Sequence, residues 1–211
     1  PLPLKTIDRE NGIIRGVVLA EVGHIKDGRG QFSRRSMQAI EKIVNDKPNG
    51  LKSRFTHPTL SDDGLGSYLG RVSNARVDNH RVIGDLTFDR TAFNTPKGDL
   101  ATYVMDLAES DPEAINMSLV VGGEDLEKIE IEGEPDIWIP HSLHAVDAVD
   151  TGAATNSFLS IDSTLDRNVR RGCEVLDAAF PNMNRDEVRQ RALSWLEKDL
   201  SYRYEIGRAH V

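Results

Sequence analysis

The stretch SYLGRVSNARVDNHRVIGDLTFD, residues 67–89, constrains the fold more than any other part of this 211-residue chain. Two runs rich in β-branched residues flank a polar turn at Asp78-Asn79-His80, and that pattern predicts an antiparallel hairpin. A doubly wound parallel sheet joins its strands through helices instead, and no βαβ phosphate motif is visible. The overlapping GLGSYLG (64–70) is glycine-rich but lacks the lysine of a phosphate loop, and it leads into the hairpin. A phosphate cradle needs a helix N-terminus, so this segment reads as a turn.

Further strands are expected at IIRGVVLAEVG (13–23), LKSRFTH (51–57) and residues 115–121. IWIPHSLHAVDAVD (137–150) supplies a strand pair or one long strand, and residues 122–136 read as an acidic, glycine-containing insertion. Two helices interrupt the strands. In the first, Met37, Ile40 and Val44 form a stripe flanked by Ile43, and KPNG (47–50) ends it. In the second, DLATYVMDLAES, the expected apolar face is Leu100, Tyr103, Val104 and Leu107. Beyond about residue 163 the pattern is helical only, in TLDRNVRRGCEVLDAAF and DEVRQRALSWLEKDL. The expected class is therefore α+β. A β-rich body fills 1–162. A helical C-terminal segment fills 163–205. Residues 206–211 fit no period and read as a cloning remnant, which removes His210 from any site.

Apolar residues at 38% and charged residues at 28% suit a soluble globular chain with a core. The net charge of −8 disfavours nucleic-acid binding, which needs a basic surface. No apolar run approaches the ~18–20 residues of a membrane span, and no signal-peptide pattern opens the chain. Cys173 is the single cysteine and reads as a structural thiol in a reducing, intracellular setting.

Chemistry centres on Ser118, a lone hydroxyl inside the apolar run of EAINMSLVVGG (113–123). Such a serine is either a small core residue bonded to nearby backbone or a nucleophile, and the second role needs a base and a third group. His57 ends the LKSRFTH segment, is kept out of helical geometry by Pro58, and borders a long loop suited to a cleft. His24 in a glycine-rich loop and His80 at the hairpin turn read as solvent-facing, while His141 and His144 flank the last β segment. Metal ligation by His57 with Asp62 and Asp63, or by His141 with His144, is the competing chemistry. No HExxH occurs, and His-x-x-His in an extended segment points its rings to opposite faces, so no metal is expected. The residues alone reach a Ser/His site and stop there.

The order of these pieces carries a resemblance. RFTHPTLSDDGLGSYLGRVSNARVDNHRVIGDLTF resembles the "His-Pro, then Gly-Arg-Val, then Gly-Asp-Leu" block of phage prohead maturation proteases. EAINMSLVV resembles their nucleophile strand, and HAVDAVDTGAATN the block that follows it. These enzymes belong with the herpesvirus assemblins, serine peptidases that clear the scaffold inside an immature capsid. The resemblance spans about residues 14–160. It implies an assemblin-like antiparallel or mixed β-barrel with surrounding helices. Ser118 matches the nucleophile and His57 the general base. The third member is Asp147 by first choice, with Asp150 and His144 as alternatives. Oxyanion donors would come from the backbone of Gly152, Ala153 and Ala154, or from near Gly122 and Gly123. No cofactor is implied.

The implied substrates are scaffold and capsid precursors and the chain itself, inside the assembling prohead in the host cytoplasm. A homodimer or higher homo-oligomer is implied, with no membrane or nucleic-acid partner, and the helical segment 163–205 would serve dimerisation, act as a linker or begin a scaffold region. One departure stands out: Asn116 and Met117 precede Ser118 where the family often has a small residue. That implies altered specificity or a fold that has lost activity. A non-enzymatic scaffold or structural protein of the phage head, on a protease-like fold, is the alternative. It predicts that His57, Ser118 and Asp147 stay apart.

Overall fold

A computed structural model describes residues 6–26, 28–58 and 64–159. The chain divides after Ser160, and every described residue belongs to the first part. The helices expected at 163–205, Cys173 and His210 lie outside the described residues, as do Asp62 and Asp63.

The described residues form a mixed α+β fold, mostly sheet with two α-helices. Its strands are β1 (Ile7–Asp8), β2 (Ile13–Glu21), β3 (Gly23–His24), β4 (Gln31–Phe32), β5 (Leu51–Arg54) and β6 (Tyr68–Asp78). They continue with β7 (Arg81–Phe88), β8 (Asn116–Val120), β9 (Leu126–Ile131), β10 (Glu134–Pro140) and β11 (Ala145–Val149). Helix α1 (Arg34–Asn45) lies between β4 and β5, and α2 (Leu100–Ser110) between β7 and β8. Hydrogen bonding resolves the strands into three sheets: β1-β2-β7-β6-β5, β3-β4-β10-β9 and β11-β8. No closed barrel forms among the described residues. Isolated bridges link Phe55 to Ala148 and Val17 to Leu159, tying the large sheet to β11 and to the segment after it.

The 67–89 hairpin is β6 and β7, with Asp78 paired to Arg81 and Asn79 at φ +55°, a conformation asparagine tolerates. Helix α1 starts in a reciprocal cap. The Ser33 hydroxyl accepts from Ser36 N–H, and the Ser36 hydroxyl accepts from Ser33 N–H. Its stripe of Met37, Ile40 and Val44 is buried against β6 and β7. Among the described residues no helix is long and apolar enough to cross a membrane.

Three local expectations are corrected. Helix α2 buries Leu100, Ala101, Val104, Met105 and Ala108, whereas Tyr103 is half exposed. Small alanines let the helix sit close to the core, and Tyr103 instead meets the Phe55 ring edge-on at 5.8 Å. The acidic segment 122–136 is not a loop insertion. It forms most of the β9–β10 hairpin, turned at Gly133 with φ +79°. Its many carboxylates face solvent, so the Ile129/Ile131 alternation is what decides the local structure. The strand expected over 51–57 stops at Arg54, and His57 lies beyond it.

Candidate active site

Strands β8 and β11 pair antiparallel with Ser118 directly opposite Asp147. Residues facing each other across such a pair project from the same side, so this register alone sets a hydroxyl beside a carboxylate. The third group arrives from β5. Beyond Arg54, Phe55 N–H donates to the Ser67 carbonyl at 2.7 Å and Thr56 N–H to the Ala148 carbonyl at 2.7 Å. Thr56 has φ +66°, a strained value for a β-branched residue, and the chain turns there to present His57.

His57 bridges the cross-strand pair. Its Nε2 lies 3.1 Å from Ser118 Oγ and its Nδ1 lies 2.9 Å from Asp147 Oδ2. Asp147 is fully buried, while the imidazole is 46% exposed, so one end of the chain of hydrogen bonds is dry and the other open. Arg54 holds the dry end. Its Nε donates to Oδ1 of Asp147 at 3.0 Å, its Nη2 to Oδ2 at 2.6 Å, and its backbone N–H to Oδ1 at 3.1 Å. With His57 Nδ1 included, each carboxylate oxygen takes two donors, which fills the acceptor sites of an ionised carboxylate. In the Nδ1–H tautomer the imidazole donates to Asp147 and turns its Nε2 lone pair to the Ser118 hydroxyl.

The other residues singled out from the sequence lie elsewhere. His144 Nε2 sits 3.1 Å from Asp125 Oδ2, and the Ser142 hydroxyl donates to Asp125 Oδ1 at 2.7 Å. The Ser142 bond first, and the adjacent His144 next, hold the Asp125 carboxyl below its ordinary range. Asp150 is exposed, and its carboxylate accepts from Thr151 N–H. Neither reaches the His57 trio, because both lie at bends just outside β11, where His144 turns to Asp125 and Asp150 is exposed. His24, His80 and His141 are exposed. Among the described residues no group of three His, Cys, Asp or Glu could hold a metal.

Of the two glycine segments, Gly122 lies against Asp125 and His144, whereas Gly152 backs onto the residue before Ser118. A Cβ at Gly152 would sit 2.7 Å from the Met117 carbonyl and collide with the Thr155 hydroxyl. Thr155 Oγ1 donates to that same carbonyl at 3.0 Å, and the Ala153 and Ala154 carbonyls accept from Lys26 and Glu21 N–H. Segment 152–155 is thus fixed beside β8. Asn116 and Met117 belong to this support: Asn116 Nδ2 donates to the Asp150 carbonyl at 3.2 Å, and Met117 is buried in the core.

Arg54 escaped the sequence reading. Nothing in the Arg54-x-x-His57 spacing by itself shows that a buried acid lies opposite. No family model, curated protein or solved structure matches this chain. In chemical terms, a hydroxyl, an imidazole and a buried carboxylate in that order can carry nucleophilic acyl transfer.

Proposed function

We propose that the chain is a serine endopeptidase, with Ser118 as nucleophile, His57 as general base and Asp147 as the orienting acid. The observation that carries the reading is the unbroken sequence of contacts from Ser118 Oγ through His57 to buried Asp147, at 3.1 and 2.9 Å. His57 Nε2 takes the hydroxyl proton as Ser118 attacks the scissile carbonyl, then returns it to the leaving amine. Asp147 keeps the imidazole in the productive tautomer and stabilises the imidazolium. Oxyanion stabilisation is assigned to backbone N–H groups of Gly152 and Ala153, on the segment fixed beside β8.

Within this class, the resemblance to phage prohead proteases points to scaffold and capsid precursors, and the chain itself, as substrates. An assemblin-like barrel belongs to the same proposal. The bridges from Phe55 to Ala148 and from Val17 to Leu159 are the seams at which the sheets would join into it. The non-enzymatic alternative expects the three side chains to lie apart, and the contacts just given favour the peptidase.

The test is covalent. A fluorophosphonate should add to Ser118 in the wild-type chain and fail with Ser118→Ala, read by mass spectrometry of the labelled peptide. Co-expression of a longer chain with a scaffold protein should give self-cleavage that the same substitution abolishes. Equal recovery of intact wild-type and Ser118→Ala chains, with no labelling, would sink the peptidase reading.

A further inference from the structure

We infer that Arg54 is a positioning residue of this site. It fixes the orientation of Asp147, and through it that of the His57 imidazole, and balances the charge of the buried carboxylate. The inference rests on the peptidase reading and deepens it. Three observations carry it. The Arg54 fork and its own N–H occupy three of the four contacts on Asp147, leaving one for His57. The Arg54 side chain is 12% exposed and Asp147 fully buried, so the pair interacts with little screening by water. The chain also returns over it at Gly64, where a Cβ would lie 3.3 Å from Arg54 Cδ and 3.2 Å from Pro58 Cβ. A left-handed φ of +75° reserves that position for glycine.

A planar guanidinium gripping both oxygens fixes the carboxylate plane, which a single hydrogen bond to His57 does not. Its positive charge also offsets the cost of burying the Asp147 carboxylate.

The test measures the rate of fluorophosphonate addition to Ser118 for the wild type and for Arg54→Gln, Arg54→Lys and Arg54→Ala. Arg54→Gln should slow the rate by about 100-fold, the effect of a misplacement near 1 Å. Lysine keeps the charge but not the fork, so Arg54→Lys should lose rate as well. Guanidinium at millimolar concentration should restore part of the rate to Arg54→Ala. Thermal unfolding monitors integrity, and if Arg54→Gln does not fold, the lysine variant decides. Full rate in Arg54→Lys would overturn the positioning role, as would a folded Arg54→Ala that guanidinium does not accelerate. Labelling of the wild type with unaltered variants rejects this inference alone. Absence of labelling in the wild type rejects the peptidase reading and this inference with it.

Discussion

Among the described residues, two histidines lie against a carboxylate with a serine close by, and the two trios are wired in different orders. In one, His57 stands between Ser118 and Asp147. In the other, Asp125 stands between Ser142 and His144. Only the first order lets an imidazole receive the hydroxyl proton. In the second, Ser142 donates to a carboxylate held below its ordinary range, which makes it a poor base. Burial separates them further: Asp147 is fully buried, whereas Asp125 is 24% and His144 58% exposed. Close contact among Ser, His and Asp therefore does not define a catalytic site; the order of contacts and the dryness of the acid do.

The largest difference should appear in catalysis. Asp147→Asn should reduce the labelling rate of Ser118 by about 10⁴-fold, because the amide favours the wrong imidazole tautomer. Asp125→Asn should leave that rate within a small factor. Comparable losses from the two substitutions would break the distinction. Stability should follow the same ranking. Asp147→Ala strands the Arg54 guanidinium in a buried setting, and breaking such a pair destabilises by about 3–5 kcal/mol. Urea unfolding of Asp147→Ala and Asp125→Ala side by side should show a large midpoint shift in the first and a minor one in the second.

A smaller effect is pH-dependent. The folded chain holds Asp125 ionised below its ordinary value of 3.8, so its contribution to stability is complete above that value. The contribution is lost as pH falls through the lower folded value. The wild-type Tm should therefore drop more steeply than that of Asp125→Asn as pH falls below 3.8 and on through that lower folded value. Parallel curves would show that the Ser142 and His144 contacts do not stabilise the fold.

Much of the first trio was legible because strand periodicity is local. Ser118 and His57 could be singled out from their segments, and the α+β class followed from the 67–89 hairpin and two amphipathic stripes. The choice among His144, Asp147 and Asp150 needed the register of β8 against β11, a non-local pairing that no single segment encodes. That register sets Ser118 opposite Asp147 and leaves His144 and Asp150 at the bends on either side of β11. Arg54 was hidden for a related reason. A strand-end arginine looks solvent-facing until the acid it pairs with, 93 positions later in the chain, is known to be buried. The β9–β10 hairpin was obscured by composition, since its carboxylates outweighed the isoleucine alternation.

The last contrast lies in the backbone. Among the described residues the non-glycine positions with positive φ are Thr56, Asn74 and Asn79, and only Thr56 is β-branched. The strain sits next to His57, while the Asp125 trio rests on relaxed backbone. Thr56 N–H is held by the Ala148 carbonyl and Phe55 N–H by the Ser67 carbonyl, contacts that fix the turn against the preference of the side chain. Thr56 is exposed, so replacing it removes little packing. Asparagine tolerates the left-handed region, and Thr56→Asn should stabilise the chain by about 0.5–1 kcal/mol. Thermal unfolding at neutral pH reads this as a rise in Tm. A fall in Tm would mean that the threonine side chain contributes more to holding His57 in place than its strained backbone takes away.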